Sequence, residues 1–362
     1  MSQDSILVSF VVIALNAEAT LPSLFECLQR QTYSHNLIEV ILVDSDSSDC
    51  TKTIMGVFAE NATQNGFKRA VVLDNPKKTL PCGWNVALRA VAGDAILRVD
   101  AHTNFPDDFV EKNVNNIESG EDICGGKVIS VPAHNTKWNI VLNEAENSMF
   151  GGSFAAFRHA DTKGYVSTAA FAIYRKSVFD KVGEYNELLT RTEDNEMHYR
   201  MKKAGYRFFY DPDIVSYRET RGSLSKLLKQ KYLNGYWIGR TLGVEPHCFS
   251  LYHFVPLAFV LAIILSTLMA IAGVSLPTKI LWGAYAIVNI IMAIVACVSC
   301  KNRNVEFISL PLLFLLLHLW YGVGTLVGFI EMIKNKITFQ NGGGITKIYK
   351  TTAYMVEIVG AA

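Results

Sequence analysis

The 362-residue sequence has no charge bias: 34 basic against 33 acidic residues leave +1 at neutral pH. That removes the broad positive field on which nucleic-acid binding relies. Its first residues, MSQDSILVSF, lack a basic region followed by a cleavable apolar segment, so no secretory leader is expected there. Seven cysteines are scattered, and only Cys297 and Cys300 lie close together, in an apolar run unsuited to zinc or a disulfide. Reduced thiols and a cytosolic main domain are expected. Charge is also missing from three long stretches, Phe254–Val274, Ile280–Cys300 and Phe307–Ile330. Each is long enough to cross a hydrocarbon layer about 30 Å thick as a helix.

Before about Tyr252 the chain has the mixed character of a soluble α/β protein. Ile6–Leu15 is a β-branched run with no polar face, as expected of a strand buried on both sides of a parallel sheet. A helix follows over Glu18–Gln31, with Leu21, Leu24, Phe25 and Leu28 on one stripe and Pro22 tolerated in its first turn. Ile38–Val43, Ala70–Leu73 and Ile96–Asp100 read as further strands, with helices from Thr51 and over Leu80–Ala92, the latter closed by Gly93. This alternation predicts a Rossmann-like, mostly parallel sheet. Later elements are helices over Pro106–Glu118, Trp138–Met149 and Ser177–Val182, and strands over Ile123–Val131 and Val166–Tyr174. Gly151–Tyr165 shows no periodicity and reads as a loop near the ligand or an ordinary connection.

The chemistry-bearing residues stand at strand and helix ends. Asp100 closes a strand, and His102 follows two residues later. Both can reach one divalent cation if the chain turns there; a turn cap plus a surface histidine would account for them equally. Asp44-Ser45-Asp46-Ser47-Ser48-Asp49 suits a ligand loop or a helix N-cap. Thr192 is a natural N-cap for a helix running to Lys203. Glu193 and Asp194 in its first turn suit the helix dipole or a catalytic role.

Taken in order, the strand ending at Asn16, the VDSDSSD loop, the LPCGWNVALRAVAGD helix, the VDAH turn and the Glu-Asp pair after Gly183–Glu187 resemble family 2 glycosyltransferases. The likeness is to the succinoglycan glucosyltransferase type and covers Val8 to about Trp237. It implies a GT-A fold and transfer from a nucleotide-diphosphate sugar. It implies Asp194 as catalytic base with Glu193 beside it. Asn16, Glu18, Asp44, Asp46, Gly83, Asn85 and Asp100 are implied at the donor, and Asp100 with His102 at a Mn²⁺ or Mg²⁺ ion. His102 replaces the second carboxylate of the family's Asp-X-Asp motif and brings no negative charge; Mn²⁺ accepts imidazole better than Mg²⁺ does.

The segment after the domain, Leu224–Gly239, carries lysines, Tyr232, Tyr236 and Trp237, and reads as an interfacial helix. Leu233 stands where processive family members carry an arginine, which favours addition of one sugar. The expected layout is a catalytic domain over 1–222, an amphipathic segment over 223–250, a helical membrane region over 251–332 and a tail over 333–362. A cytosolic domain puts Lys301 and Arg303 inside, in keeping with the positive-inside rule, but Lys334, Lys336, Lys347 and Lys350 outside. One apolar run could therefore be re-entrant, with Pro311 marking the third. The expected function is inverting transfer to a lipid-linked or glycan acceptor at the cell membrane. A processive synthase and a non-catalytic nucleotide-sugar-binding protein are the alternatives.

Overall fold

A computed structural model describes residues 6–152, 158 and 160–340, with side chains to residue 334. Residues 153–157 and 159 of the Gly151–Tyr165 loop and most of the 333–362 tail lie outside the described residues, including Lys347 and Lys350.

The apolar runs form the strands expected of them. β1 (Val8–Ala14) and β2 (Ile38–Asp44) are buried at every position. Along β1 the even residues Val8, Phe10 and Val12 pack under α1 (Leu21–Gln29), and the odd residues Val11 and Ile13 pack against α3 (Leu80–Ala90). This two-sided burial is the signature of a parallel sheet covered on both faces. β3 (Arg69–Asp74) and β4 (Ala95–Asp100) complete the parallel part, with α2 (Thr51–Asn61) between β2 and β3.

Beyond β4 the sheet becomes mixed. The strand order is β3-β2-β1-β4-β8-β6-β9-β5, with β7 on β9. β5 is Thr103–Asn104, β6 Ile123–Val131, β7 Gly164–Val166, β8 Ile173–Arg175 and β9 Phe208–Glu219. β8 runs antiparallel to both β4 and β6, whereas β6 and β9 are parallel. The single strand expected over Val166–Tyr174 is broken: Phe171 sits in the left-handed region at φ 47°, and 167–172 bulges toward the cleft. For a bulky residue that conformation costs roughly 1–2 kcal/mol. Gly93 is also not the helix cap expected. α3 ends at Ala90 with Val91 as its cap, and a Cβ on Gly93 would lie 2.6 Å from the Leu7 carbonyl.

Four more helices finish the domain: α4 (Phe109–Glu118), α5 (Lys137–Asn147), α6 (Lys176–Val182) and α7 (Glu193–Lys203). α8 (Leu224–Thr241) leads to α9 (Val255–Ile271), α10 (Leu276–Ser299) and α11 (Leu310–Gln340). Three segments are long and apolar enough to cross a membrane: Leu251–Ile271, Leu276–Ser299 and Val305–Lys334. The third is the most buried, 39% against 11% and 17%. Pro311 falls in the first turn of α11, where no helix hydrogen bond is lost.

α8 is not a helix lying free on a surface. It packs along α11 through glycines on both sides. A Cβ on Gly235 would stand 2.0 Å from the Tyr321 carbonyl oxygen, and one on Gly328 2.0 Å from that of Tyr236. Gly239 and Gly324 are equally crowded. Arg240 Nη1 and the Tyr236 hydroxyl both donate to Glu331, the former at 3.1 Å. A second tie joins α11 to the α/β domain. His318 Nε2 faces the Phe150 carbonyl at 2.6 Å and must donate to it; Nδ1 then accepts from the Tyr285 hydroxyl at 3.0 Å.

The glycine contact makes a prediction. Gly328→Leu should lower the melting temperature of the detergent-solubilised chain, as overpacking costs roughly 1–3 kcal/mol. Gly283→Leu, at a position with nothing within 4 Å, should leave it unchanged. Equal melting of the two variants would contradict the close helix contact.

Candidate active site

A strand alternates its side chains, so Arg98 and Asp100 of β4 point the same way. The first turn of α7 delivers Glu193 and Asp194 to the same place. Arg98, Asp100 and Asp194 line one cavity of about 200 Å³, together with Arg158, Arg218 and the 168–171 loop. Two residues far apart in sequence that were each singled out for chemistry, Asp100 and Asp194, therefore share a cleft at the carboxyl end of the parallel strands. That is where ligands bind in open α/β sheets.

Glu193 is 2% exposed and accepts from Arg98 Nη2 at 3.2 Å. Asp194 keeps some exposure through the cavity, and its Oδ1 accepts from the Asn195 amide at 2.8 Å. Burial pushes Glu193 up to about 8, reinforced by the charge of Asp194, while Arg98 opposes the shift. Asp194 is raised by the same burial. Arg98 is fixed from below: its guanidinium lies 4.8 Å from the Trp84 ring centroid and 3.5 Å from the Tyr185 hydroxyl. One turn beyond Asp194, His198 bridges the Thr168 and Tyr174 hydroxyls at 2.8 and 3.1 Å, and burial drives it down to about 3, so it stays neutral.

Thr192 does not cap α7 with its side chain. Its hydroxyl meets that of Thr241 on α8 at 2.6 Å, and Arg191 Nη1 donates to Asn234 on the same helix at 3.2 Å. The segment presenting the acid pair is thus fastened to the helix that grips α11.

Asp44 ends β2, and the register pairs Ala14 with Asp44 and Ile13 with Asp100. Asp44 and Asp100 are therefore two strand spacings apart along one sheet edge, about 10 Å. Asp44 is 2% exposed and accepts from the Ser47 amide at 3.3 Å. Asn16 and Asp46 both take left-handed backbone, at φ 50° and 60°. Asn16 Oδ1 accepts from the Ser48 amide at 2.9 Å. Glu18 Oε2 accepts from the Cys50 amide at 2.9 Å, holding the start of α2. Asp46 pairs with Lys78 at 2.7 Å. These contacts knit the 16–18 and 44–51 loops into one rim.

Gly83 and Asn85 do not line the cavity. A Cβ at Gly83 would stand 2.6 Å from Ile13, so glycine lets α3 close on β1. Asn85 grips the Tyr185 backbone from both ends, donating to its carbonyl at 2.9 Å and accepting from its amide at 2.8 Å. It acts on the cleft through Tyr185 and Arg98. Arg98 itself was missed in the sequence, although a charge inside the apolar run ILRVD, two residues before Asp100, marks it.

Asp100 and His102 sit either side of the β4–β5 turn. Burial holds His102 below its ordinary value, against the pull of Asp100, leaving the neutral imidazole that metals bind. Among the described residues no group of three metal-ligating side chains exists. Two protein donors fit a hard cation only when diphosphate oxygens and water supply the rest, which is how Mg²⁺-type ions commonly sit on nucleotides.

Such a sheet, with carboxylates along its carboxyl edge, defines the nucleotide-sugar-dependent transferases of GT-A fold. Residues 9–183 match the model of glycosyl transferase family 2, which supports a family 2 glycosyltransferase, and three C-terminal segments are long and apolar enough to cross a membrane. The succinoglycan biosynthesis protein ExoA of Rhizobium meliloti is 29% identical over 240 residues, covering 66% of this chain and 70% of that one. The dolichyl N-acetyl-alpha-D-glucosaminyl phosphate 3-beta-D-2,3-diacetamido-2,3-dideoxy-beta-D-glucuronosyltransferase of Methanococcus voltae is 23% identical, covering 92% and 99%. Among solved structures, a mannosyltransferase from Pyrobaculum calidifontis in complex with GDP-Man and Mn²⁺ shares the fold. Its TM-score is 0.59 at 16% identity, over 89% of this chain and 87% of that one.

The buried acid pair sets a pH dependence of stability. A carboxyl raised on folding holds its proton in the native state after the unfolded chain has lost it. Stability therefore falls as pH rises from the ordinary value of 4.5 through about 8. Asp194→Asn should flatten that slope, and melting temperature followed across pH 5 to 8 will read it. Parallel profiles for the two proteins would contradict the buried pair.

Proposed function

We propose that the chain is an inverting glycosyltransferase that moves one sugar from a nucleotide-diphosphate sugar to a membrane-tethered, lipid-linked acceptor. The observation that carries this is the meeting of Asp100 and Asp194 in one cavity, with Asp44 on the same sheet edge. The Methanococcus voltae relative acts on a dolichyl-phosphate-linked sugar, which supports the acceptor class.

In this reading Asp194 is the base. Glu193 is enclosed and paired with Arg98, whereas Asp194 opens into the cavity. The acceptor hydroxyl gives its proton to the Asp194 carboxylate. Its oxygen bonds to the anomeric carbon as the bond to the diphosphate oxygen breaks, and nucleoside diphosphate leaves. One displacement from the face opposite the leaving group inverts the anomeric centre. The raised affinity of Asp194 for a proton suits this work, since a base is most effective with a pKa near the operating pH. Arg98 keeps the neighbouring Glu193 from drifting into the cleft. Asp44 holds the donor's base from the far end of the edge.

Asp100 and His102 would hold a divalent cation against the diphosphate, Mn²⁺ being the better match to an imidazole. When bound, the ion offsets the charge of the leaving group. Asp100 then orients that end of the donor toward Asp194. The expected setting is the cytoplasmic face of the cell membrane, with the three apolar helices as anchor.

Asp194→Asn should reduce transfer by roughly 10²–10⁴-fold while nucleotide-sugar binding by calorimetry survives. Loss of both together would make Asp194 structural. EDTA should abolish transfer, and Mn²⁺ should restore it in the wild type but not in Asp100→Ala. Full activity in EDTA would remove the cation from the scheme.

A further inference from the structure

Four charges brought together from separate parts of the chain lie beside the cleft, on the side away from Asp44, and two of them reach into it. They are Glu146 of α5, Arg158, Arg218 of β9 and Lys231 of α8. Arg218 Nη2 donates to Glu146 Oε1 at 2.9 Å. Arg158 Nη1 donates to Asn147 Oδ1 at 3.3 Å and to Ser130 Oγ at 3.4 Å. Lys231 is 8% exposed and feels the charges of all three. Arg158 and Arg218 line the same cavity as Asp100 and Asp194.

Within the cluster three cations face one carboxylate, Glu146, while Asp100 and Asp194 stand across the same cavity. The groups respond accordingly: burial, then the neighbouring arginines, push Lys231 down to about 8, and burial with Arg218 lowers Arg158 to about 10. Arg218 Nε is buried with no hydrogen-bond partner among the described residues. Buried cations crowded together with too little negative charge call for an anion.

We propose that Arg158, Arg218 and Lys231 form a subsite for the phosphate or diphosphate that links the acceptor sugar to its lipid, an inference that rests on the acceptor class given above. Position separates this anion from the donor's diphosphate. Asp44 and Asp100 lie on β2 and β4, flanking β1, whereas Arg218 lies three strands beyond β4, on β9. Glu146 and Lys231 belong to α5 and α8, which pack with Phe314 and Leu317 of α11, the apolar side from which a tethered acceptor arrives. The cleft is then bipolar, with carboxylates at the reacting hydroxyl and cations at the linker one sugar away.

The test uses the full chain in lipid nanodiscs and four probes: farnesyl diphosphate, farnesol, UDP and GDP. Calorimetry should show farnesyl diphosphate binding more tightly than farnesol. Lys231→Met should weaken it about tenfold, the worth of one charge-assisted hydrogen bond, and Lys231→Arg should restore it. Glu146→Gln, which removes the only carboxylate of the cluster, should tighten it. Nucleoside diphosphate binding should be unchanged throughout. If Lys231→Met binds farnesyl diphosphate like the wild type, the subsite is wrong. A parallel loss of UDP or GDP would assign the cations to the donor, and an equal loss of farnesol would make Lys231 a packing residue; either overturns the proposal. A wild type that ignores farnesyl diphosphate and transfers sugar only to acceptors without a lipid would bring down the acceptor reading itself, a different failure from a silent Lys231→Met.

Discussion

Adjacent carboxylates at one helix start, one enclosed and the other open only to the cavity, coexist here because a single guanidinium lies beneath them. Arg98 answers Glu193 at 3.2 Å and lends its field to Asp194. A buried ion pair of this kind has little net worth for stability, yet removing one partner is expensive, since the other is left stranded. Much of the surrounding packing serves to keep Arg98 where it is. Trp84 and Tyr185 flank the guanidinium, Asn85 clamps the Tyr185 backbone, and Gly83 lets α3 come close enough to β1 for Trp84 to reach. A chain of contacts thus runs from α3, on the same face of the sheet as α7, to the carboxylate that faces the cavity.

A second chain of contacts runs toward the apolar helices. Thr192 and Arg191 are held by Thr241 and Asn234 of α8, and α8 is pressed to α11 through glycines. The Phe150 carbonyl, just before the segment leading to Arg158, is held by His318 of α11. Both walls of the cleft are therefore referenced to one long helix. Close backbone contact between helices tolerates no added Cβ and little sliding.

The parts legible in the sequence were those governed by burial alone. β1 and β2 are buried on both faces and β4 nearly so, and their largely apolar runs could be read as strands without knowing their neighbours. Asp44, Asp100 and Asp194 stand out in the sequence because each ends or begins an element. What could not be read depended on partners distant in the chain. Val166–Tyr174 looks like one strand because nothing local announces the left-handed turn at Phe171. Thr192 looks like a cap until Thr241 is brought beside it. Asn85 reads as a donor contact, whereas its amide matches the backbone of Tyr185. The lysines of α8 suggest an interfacial face, yet Lys231 turns inward, and the glycines at 235 and 239 gain meaning only against Gly324 and Gly328.

The glycine seam between α8 and α11 has one more consequence. It fixes the distance between the cleft and the apolar helices as firmly as a gauge block. On the proposed reading of a bilayer-rooted acceptor, only a hydroxyl at that one level would be reached, and a newly added ring would stand one storey too high. Stopping after one addition would then need no counting device.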